Sequence, residues 1–122
     1  MENMITWFEI PAKDFNRATN FYRNILSIEI EELDLGNLKM GLLPNDGKNV
    51  SGAIVKYESY EPRDQGVLIY LNGKDDLNDM LSKVEGEGGK IIMDKRQISD
   101  EFGYMALFMD TEGNRIALHS HN

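Results

Sequence analysis

The second half of this chain restates the first, and no other feature of the sequence constrains its fold as tightly. Trp7-Phe8-Glu9-Ile10-Pro11-Ala12-Lys13-Asp14-Phe15 runs from an apolar, strand-like stretch to an Asp and then into a helical pattern. Ile69-Tyr70-Leu71-Asn72-Gly73-Lys74-Asp75-Asp76-Leu77 does the same 62 positions later. Leu42-Leu43-Pro44-Asn45-Asp46-Gly47 is echoed by Phe108-Met109-Asp110-Thr111-Glu112-Gly113 at a spacing of 66. The drift in spacing predicts a longer loop around Ser99–Gly103 in the second copy. Two copies of one unit place a ligand pocket at their junction.

Each unit reads the same way at the level of elements. Ile5–Ile10 alternates and is rich in aromatic and branched residues, which predicts a strand. One face of it carries Ile5, Trp7 and Glu9, the other Thr6, Phe8 and Ile10. Pro11 ends it, having no N–H for a ladder. Asp14 is suited to cap a helix running to about Leu26, whose apolar stripe is Phe15, Ala18, Tyr22, Ile25 and Leu26. Strands are predicted at Ile28–Leu33, Leu38–Leu43 and Val50–Tyr57. The second unit predicts a strand at Val67–Asn72, a helix over about Asp76–Glu85, and strands at Lys90–Asp94, Tyr104–Met109 and Arg115–Ser120. Gly86-Glu87-Gly88-Gly89 stops the helix and supplies positive φ for the turn that follows.

The chain, residues 1–122, therefore reads as one α+β domain: module one over about 4–57, a polar Pro- and Gly-containing linker over about 58–66, and module two over about 67–120. Thirteen Lys and Arg against 21 Asp and Glu give a formal charge of −8, which opposes nucleic acid or anionic membrane as a partner. No apolar run approaches the ~18 residues of a membrane span. Met1-Glu2-Asn3-Met4 has no basic region followed by an apolar stretch, so no secretory signal is expected and the expected location is cytoplasmic. There is no Cys, which excludes thiolate chemistry and disulfides.

Several motifs have structural readings. Gly86-x-Gly88-Gly89 follows a helix and precedes a strand, the reverse of a dinucleotide loop. Asp110-Thr111-Glu112-Gly113-Asn114 is far too short for a calcium loop and reads as a hairpin turn. His121, one residue from the end, is expected to fray.

Four segments carry a family resemblance: Phe8-Glu9-Ile10-Pro11 through Asp14; Phe21-Tyr22-Arg23-Asn24-Ile25-Leu26; Gly88-Gly89-Lys90; and Phe108-Met109-Asp110-Thr111-Glu112-Gly113-Asn114-Arg115-Ile116. With them the chain resembles the vicinal oxygen chelate superfamily of glyoxalase I, bleomycin-resistance proteins and extradiol dioxygenases. The resemblance implies two tandem βαβββ modules forming a cup-like mixed sheet with helices outside, and pairing into a homodimer. It also implies a divalent metal held by His, Glu or Gln on the first and last strands of each module, chelating two substrate oxygens as a Lewis acid. Carried over residue by residue, the first-strand position is Trp7 and the last-strand position of module two is Ala117. The first strand of module two offers Gln65, Gly66 or Val67, of which only Gln65 could coordinate. The last strand of module one, Val50–Tyr57, has no His, Asp or Glu. A catalytic ion wants about three protein ligands, so no metal cofactor is expected.

Glu9 and His119 lie two residues past Trp7 and Ala117, on the same strand faces. Two readings stay open for them: satisfied polar residues, or an acid–base pair with a displaced metal as a variant. Trp7, Met40, Tyr70 and Met105 are the candidates to line an apolar pocket with Glu9, Ala117 and His119. The expected function is binding of a small, partly apolar molecule between the modules without the family's metal. The alternative is a lyase or isomerase of glyoxalase type using Glu9 and His119.

Overall fold

A computed structural model describes residues 2–122. Module one consists of β1 (Trp7–Pro11), α1 (Phe15–Leu26), β2 (Glu31–Asp34), β3 (Leu38–Leu42) and β4 (Ser51–Tyr57). Module two repeats the order with β5 (Tyr70–Asn72), α2 (Asn78–Val84), β6 (Lys90–Ser99), β7 (Gly103–Met109) and β8 (Arg115–Ser120). The two mixed sheets have matching strand orders, β1-β4-β3-β2 and β5-β8-β7-β6. The first and last strand of each module pair in parallel and the rest antiparallel. The α+β architecture of two tandem βαβββ modules is thus present, with both sheets open.

Element boundaries differ from the sequence pattern where tertiary contacts override it. Pro11 belongs to β1 rather than ending before it. β1 has β4 as its only neighbour, and the ladder bond beside Pro11 comes from Ala12 N to Val55 O, so proline's missing donor falls on the open edge. β2 begins at Glu31, because Ile30 turns into the core instead of pairing. β5 is only three residues long, although Ile69 still accepts from Ala117 N. The residues added in module two lengthen β6 to Ser99 through three register shifts against β7, so they make a bulged hairpin more than a loop.

Local chemistry explains the helices. Asp14 caps α1 by accepting from Arg17 N, and Ser27 closes it in the left-handed region at φ 54°. α1 buries Phe15, Ala18, Thr19, Phe21, Tyr22 and Ile25. α2 is shorter than its pattern because Asp76 accepts from Asn78 N in a turn before the helix starts. The turn after α2 takes its positive φ at Gly88, and the next residue, Gly89, packs tightly against α1 as well as its own module. A Cβ on Gly89 would lie 2.9 Å from Phe21 of α1, 2.9 Å from Val84 and 2.7 Å from the Met109 carbonyl.

One hydrophobic core serves both modules. It joins Ile10 and Ile54 of the first sheet, Phe108, Ile116 and Leu118 of the second, and the inner faces of both helices. The helices bridge the module boundary through Lys83 Nζ to Ser27 Oγ (3.0 Å) and Asn24 Nδ2 to Glu87 (2.9 Å). The turn between β7 and β8 adds a denser polar set. The Tyr22 hydroxyl donates to Asp110 at 2.6 Å, and Asn114 Nδ2 donates to the Pro11 carbonyl at 2.8 Å. Glu112 accepts from Lys13 N, Asp14 N and Arg17 Nε at 2.7–2.8 Å. Burial, with the Asp110 charge beside it, holds the Tyr22 hydroxyl well above its ordinary pKa. Burial alone would raise Glu112, but Arg17 and the converging N–H groups hold its carboxyl below the ordinary value.

Two predictions follow from this core. Tyr22→Phe should lower unfolding free energy by about 1.5–3 kcal/mol, the range for a hydrogen bond to a buried charged group, measured by urea denaturation. Glu112 has a depressed folded-state pKa, so its contribution is present above the unfolded value of about 4.3 and is lost as pH falls through the folded value. Glu112→Gln should therefore flatten the acid limb of a thermal stability profile, and an unchanged limb would show that Glu112 does not drive it.

Candidate functional site

Because the helix-covered sheet faces share one core, the opposite faces look away from it. In the first sheet that free face carries Trp7, Glu9 and, across the ladder, Met40. In the second it carries Met105, Ala117, His119 and Tyr70, set side by side by the pairings Tyr70↔Ala117 and Met105↔His119. Strand alternation places Trp7 with Glu9 and Ala117 with His119, as the ladders show. The structure nevertheless divides them between two sheets with the core behind each.

Glu9 is held by neutral aromatic donors. Tyr60 OH donates to one carboxylate oxygen at 2.8 Å, and Trp7 Nε1 approaches the other at 3.4 Å. The bond to Glu9 raises the Tyr60 hydroxyl pKa. His119 Nε2 lies 2.6 Å from the Phe102 carbonyl, and its ring meets that of His121 edge to face with centres 5.2 Å apart. His121 lies just beyond β8 and is exposed. Glu9 lines a small cleft with Arg63, Gln65 and Arg115, whereas His119 lines another with Tyr70 and Lys74. The two do not hydrogen-bond to one another.

The module junction does carry a cleft, of about 740 Å³. Ile5, Phe8 and Leu26 line it from module one; Ile69, Tyr70 and Met80 line it from module two. It runs between β1 and β5, which are edge strands of their sheets. Of the seven candidates only Tyr70 reaches it, and Trp7 lines a different cleft with Arg23 and Glu31. Met80 belongs to the shared core and Phe8 packs against it, yet both also line the cleft. Nothing in a period-two or helical pattern distinguishes a core position from one at the mouth of a gap between two edges.

At the positions where the family holds its metal, the side chains offer little to an ion. Ala117 is fully buried and has no donor atom. The indole of Trp7 has only an N–H, which points to Glu9. β4 reads Ser-Gly-Ala-Ile-Val-Lys-Tyr, with no imidazole or carboxylate. Among the described residues no three His, Cys, Asp or Glu cluster as metal ligands. Trp7 and Ala117 thus offer a divalent ion no lone pair, while Gln65, the remaining candidate ligand, lines the cleft of Glu9. Among the described residues, no helix is long and apolar enough to cross a membrane.

The family model for the Glyoxalase/Bleomycin resistance protein/Dioxygenase superfamily matches residues 4–118. A glyoxylase-like domain-containing protein from Didymella fabae is 28% identical over 97% of this chain and 94% of its own length. Among solved structures, a glyoxalase family protein from Bacillus cereus superposes with a TM-score of 0.72 at 10% identity, covering 98% of this chain and 95% of that one. TnmS3, an antibiotic binding protein from Streptomyces sp. CB03234, superposes at 0.66 with 18% identity, covering 98% and 96%. Glyoxalase I from Zea mays superposes at 0.67 with 17% identity, covering 94% of this chain but 45% of the maize chain, so this protein spans under half of that enzyme. At these identities the solved structures speak for the fold alone, while the family match runs almost end to end. This chain belongs to the Glyoxalase/Bleomycin resistance protein/Dioxygenase superfamily.

Proposed function

We propose that this protein binds a small, partly apolar molecule in the cleft between its modules and does so without the superfamily's divalent metal. The observation that carries this reading is the cleft itself. Its 740 Å³ falls within the roughly 300–1,000 Å³ of ligand sites, and its walls are mostly aliphatic and aromatic. The side chains at the family's metal positions favour the same reading, since Trp7 and Ala117 offer an ion no lone pair. TnmS3, of similar length and fold, is an antibiotic binding protein, which supports sequestration as a role within this architecture. Glu9 and His119 line separate clefts, so the reading assigns no proton transfer between them.

A homodimer belongs to this reading. Ile5 (60% exposed) and Val67 (91% exposed) sit at the cleft, and Tyr70 is 49% exposed on its free sheet face. Exposed apolar groups of this kind favour a second copy as cover.

A fluorescent apolar probe of the anilinonaphthalene type tests the proposal. The protein should bind it with one site per chain, unaffected by a chelator. Val67→Glu, at an exposed position that leaves the core intact, should weaken binding about tenfold or more by placing a charge in the apolar cleft. Equal binding by the variant, or loss of binding on chelation, would overturn the reading. Elemental analysis of the purified protein should find no stoichiometric magnesium, manganese, iron, nickel or zinc.

A further inference from the structure

We infer that His119 and His121 form a two-imidazole copper site at the end of β8, with the Met105 thioether beside it. The site is independent of the cleft between the modules and draws all its groups from module two.

The first observation is the tautomer of His119. Its Nε2 lies 2.6 Å from the Phe102 carbonyl, and a carbonyl oxygen can only accept. Nε2 must then carry the proton, and in the neutral ring Nδ1 is left with a bare lone pair. Imidazoles that bind metals characteristically donate their other N–H to a carbonyl or carboxylate, which fixes the ring and raises its basicity. Phe102 supplies that support from the β6–β7 hairpin, which folds back over the strand end.

The second observation is the second ring. His119 and His121 are two residues apart at the end of a strand, so they project to one side. Their ring centres are 5.2 Å apart and nearly perpendicular. Two imidazoles sharing one ion at metal–nitrogen distances of about 2.0–2.1 Å bring their ring centres to roughly 5 Å. The rings thus already stand at the spacing of a chelating pair, and the exposed His121 has room to turn a ring nitrogen toward Nδ1 of His119.

The third observation selects the metal. Met105 stands opposite His119 in the β7–β8 ladder and so shares its face at cross-strand contact range. Its sulfur already accepts weakly from Tyr70 OH at 3.9 Å, which leaves a second lone pair. Thioethers favour soft copper(I), and among divalent first-row ions copper(II) binds nitrogen ligands most strongly. Lys74 lines the same cleft as an exposed, flexible side chain, and the overall charge of −8 favours a cation. Water completes the coordination.

The purified protein would be titrated with Cu²⁺ near neutral pH by calorimetry, and the bound ion read by electron paramagnetic resonance. One equivalent should bind, with hyperfine structure from two imidazole nitrogens. His121→Ala, an exposed position whose loss leaves the fold intact, should lower affinity about tenfold or more, and His119→Ala should do the same. Met105→Leu should weaken Ag⁺, a redox-inert stand-in for copper(I), while leaving Cu²⁺ binding within a factor of about two. Identical Cu²⁺ isotherms for the wild type and the His119→Ala/His121→Ala double variant would overturn the site. A single equivalent of Zn²⁺ binding more tightly than Cu²⁺ would overturn the choice of metal. Neither result bears on the apolar probe, so this site and the module cleft stand or fall separately.

Discussion

The five-residue turn from Asp110 to Asn114 is the contact on which the arrangement of the two modules depends. It closes the last hairpin of module two, yet its side chains are spent on module one. Asp110 takes the Tyr22 hydroxyl inside the core, Glu112 takes two backbone N–H groups and the Arg17 guanidinium at the start of α1, and Asn114 reaches the Pro11 carbonyl. A carboxylate at a helix N-terminus meets both the unpaired N–H groups and the positive end of the helix dipole. Removing it would break three part-buried hydrogen bonds at once and leave the Arg17 guanidinium without this partner. The turn thus orients α1 against the second sheet, and the shared core of Phe21, Tyr22 and Phe108 follows.

The duplication is not used symmetrically. The equivalent turn of module one, around Asn45–Asn49, closes on itself: Asp46 accepts from Lys48 N and Asn49 N and never reaches α2. The start of α2 is instead met by Ser120, whose hydroxyl accepts from Leu77 N. One copy became a clamp and the other an exposed loop. The clamp fixes α1, and both helices pack into the single core. The gap between β1 and β5 then becomes the concave feature shared by the modules, and β8 is left with an open end where two histidines meet.

Much of the fold was legible because it rests on local rules. Asp14 as a cap, the α1 stripe, the alternation that puts Trp7 with Glu9 and Ala117 with His119, and the break at Gly86–Gly89 all appear where the pattern puts them. The candidate site was legible only in part. Alternation tells which face a residue is on, but it does not tell whether two faces of two sheets converge. Glu9 and His119 share a parity and line different clefts for that reason. The Asp110–Asn114 segment read as an ordinary turn, since its partners Tyr22 and Lys13–Arg17 lie about ninety positions upstream, beyond any local pattern.

By itself the sequence determined the module: its element order, its repeat, its helix caps, and the residue types present at the family's metal positions. These follow from hydrogen-bonding capacity, side-chain branching and periodicity, which act over a few residues. Only the tertiary structure decided how the modules meet, where the cleft lies and which polar groups find one another. Those outcomes depend on long-range pairings such as Glu112 with Arg17 and Phe102 with His119. Their strength comes from burial and geometry that exist only once both modules have closed on the common core.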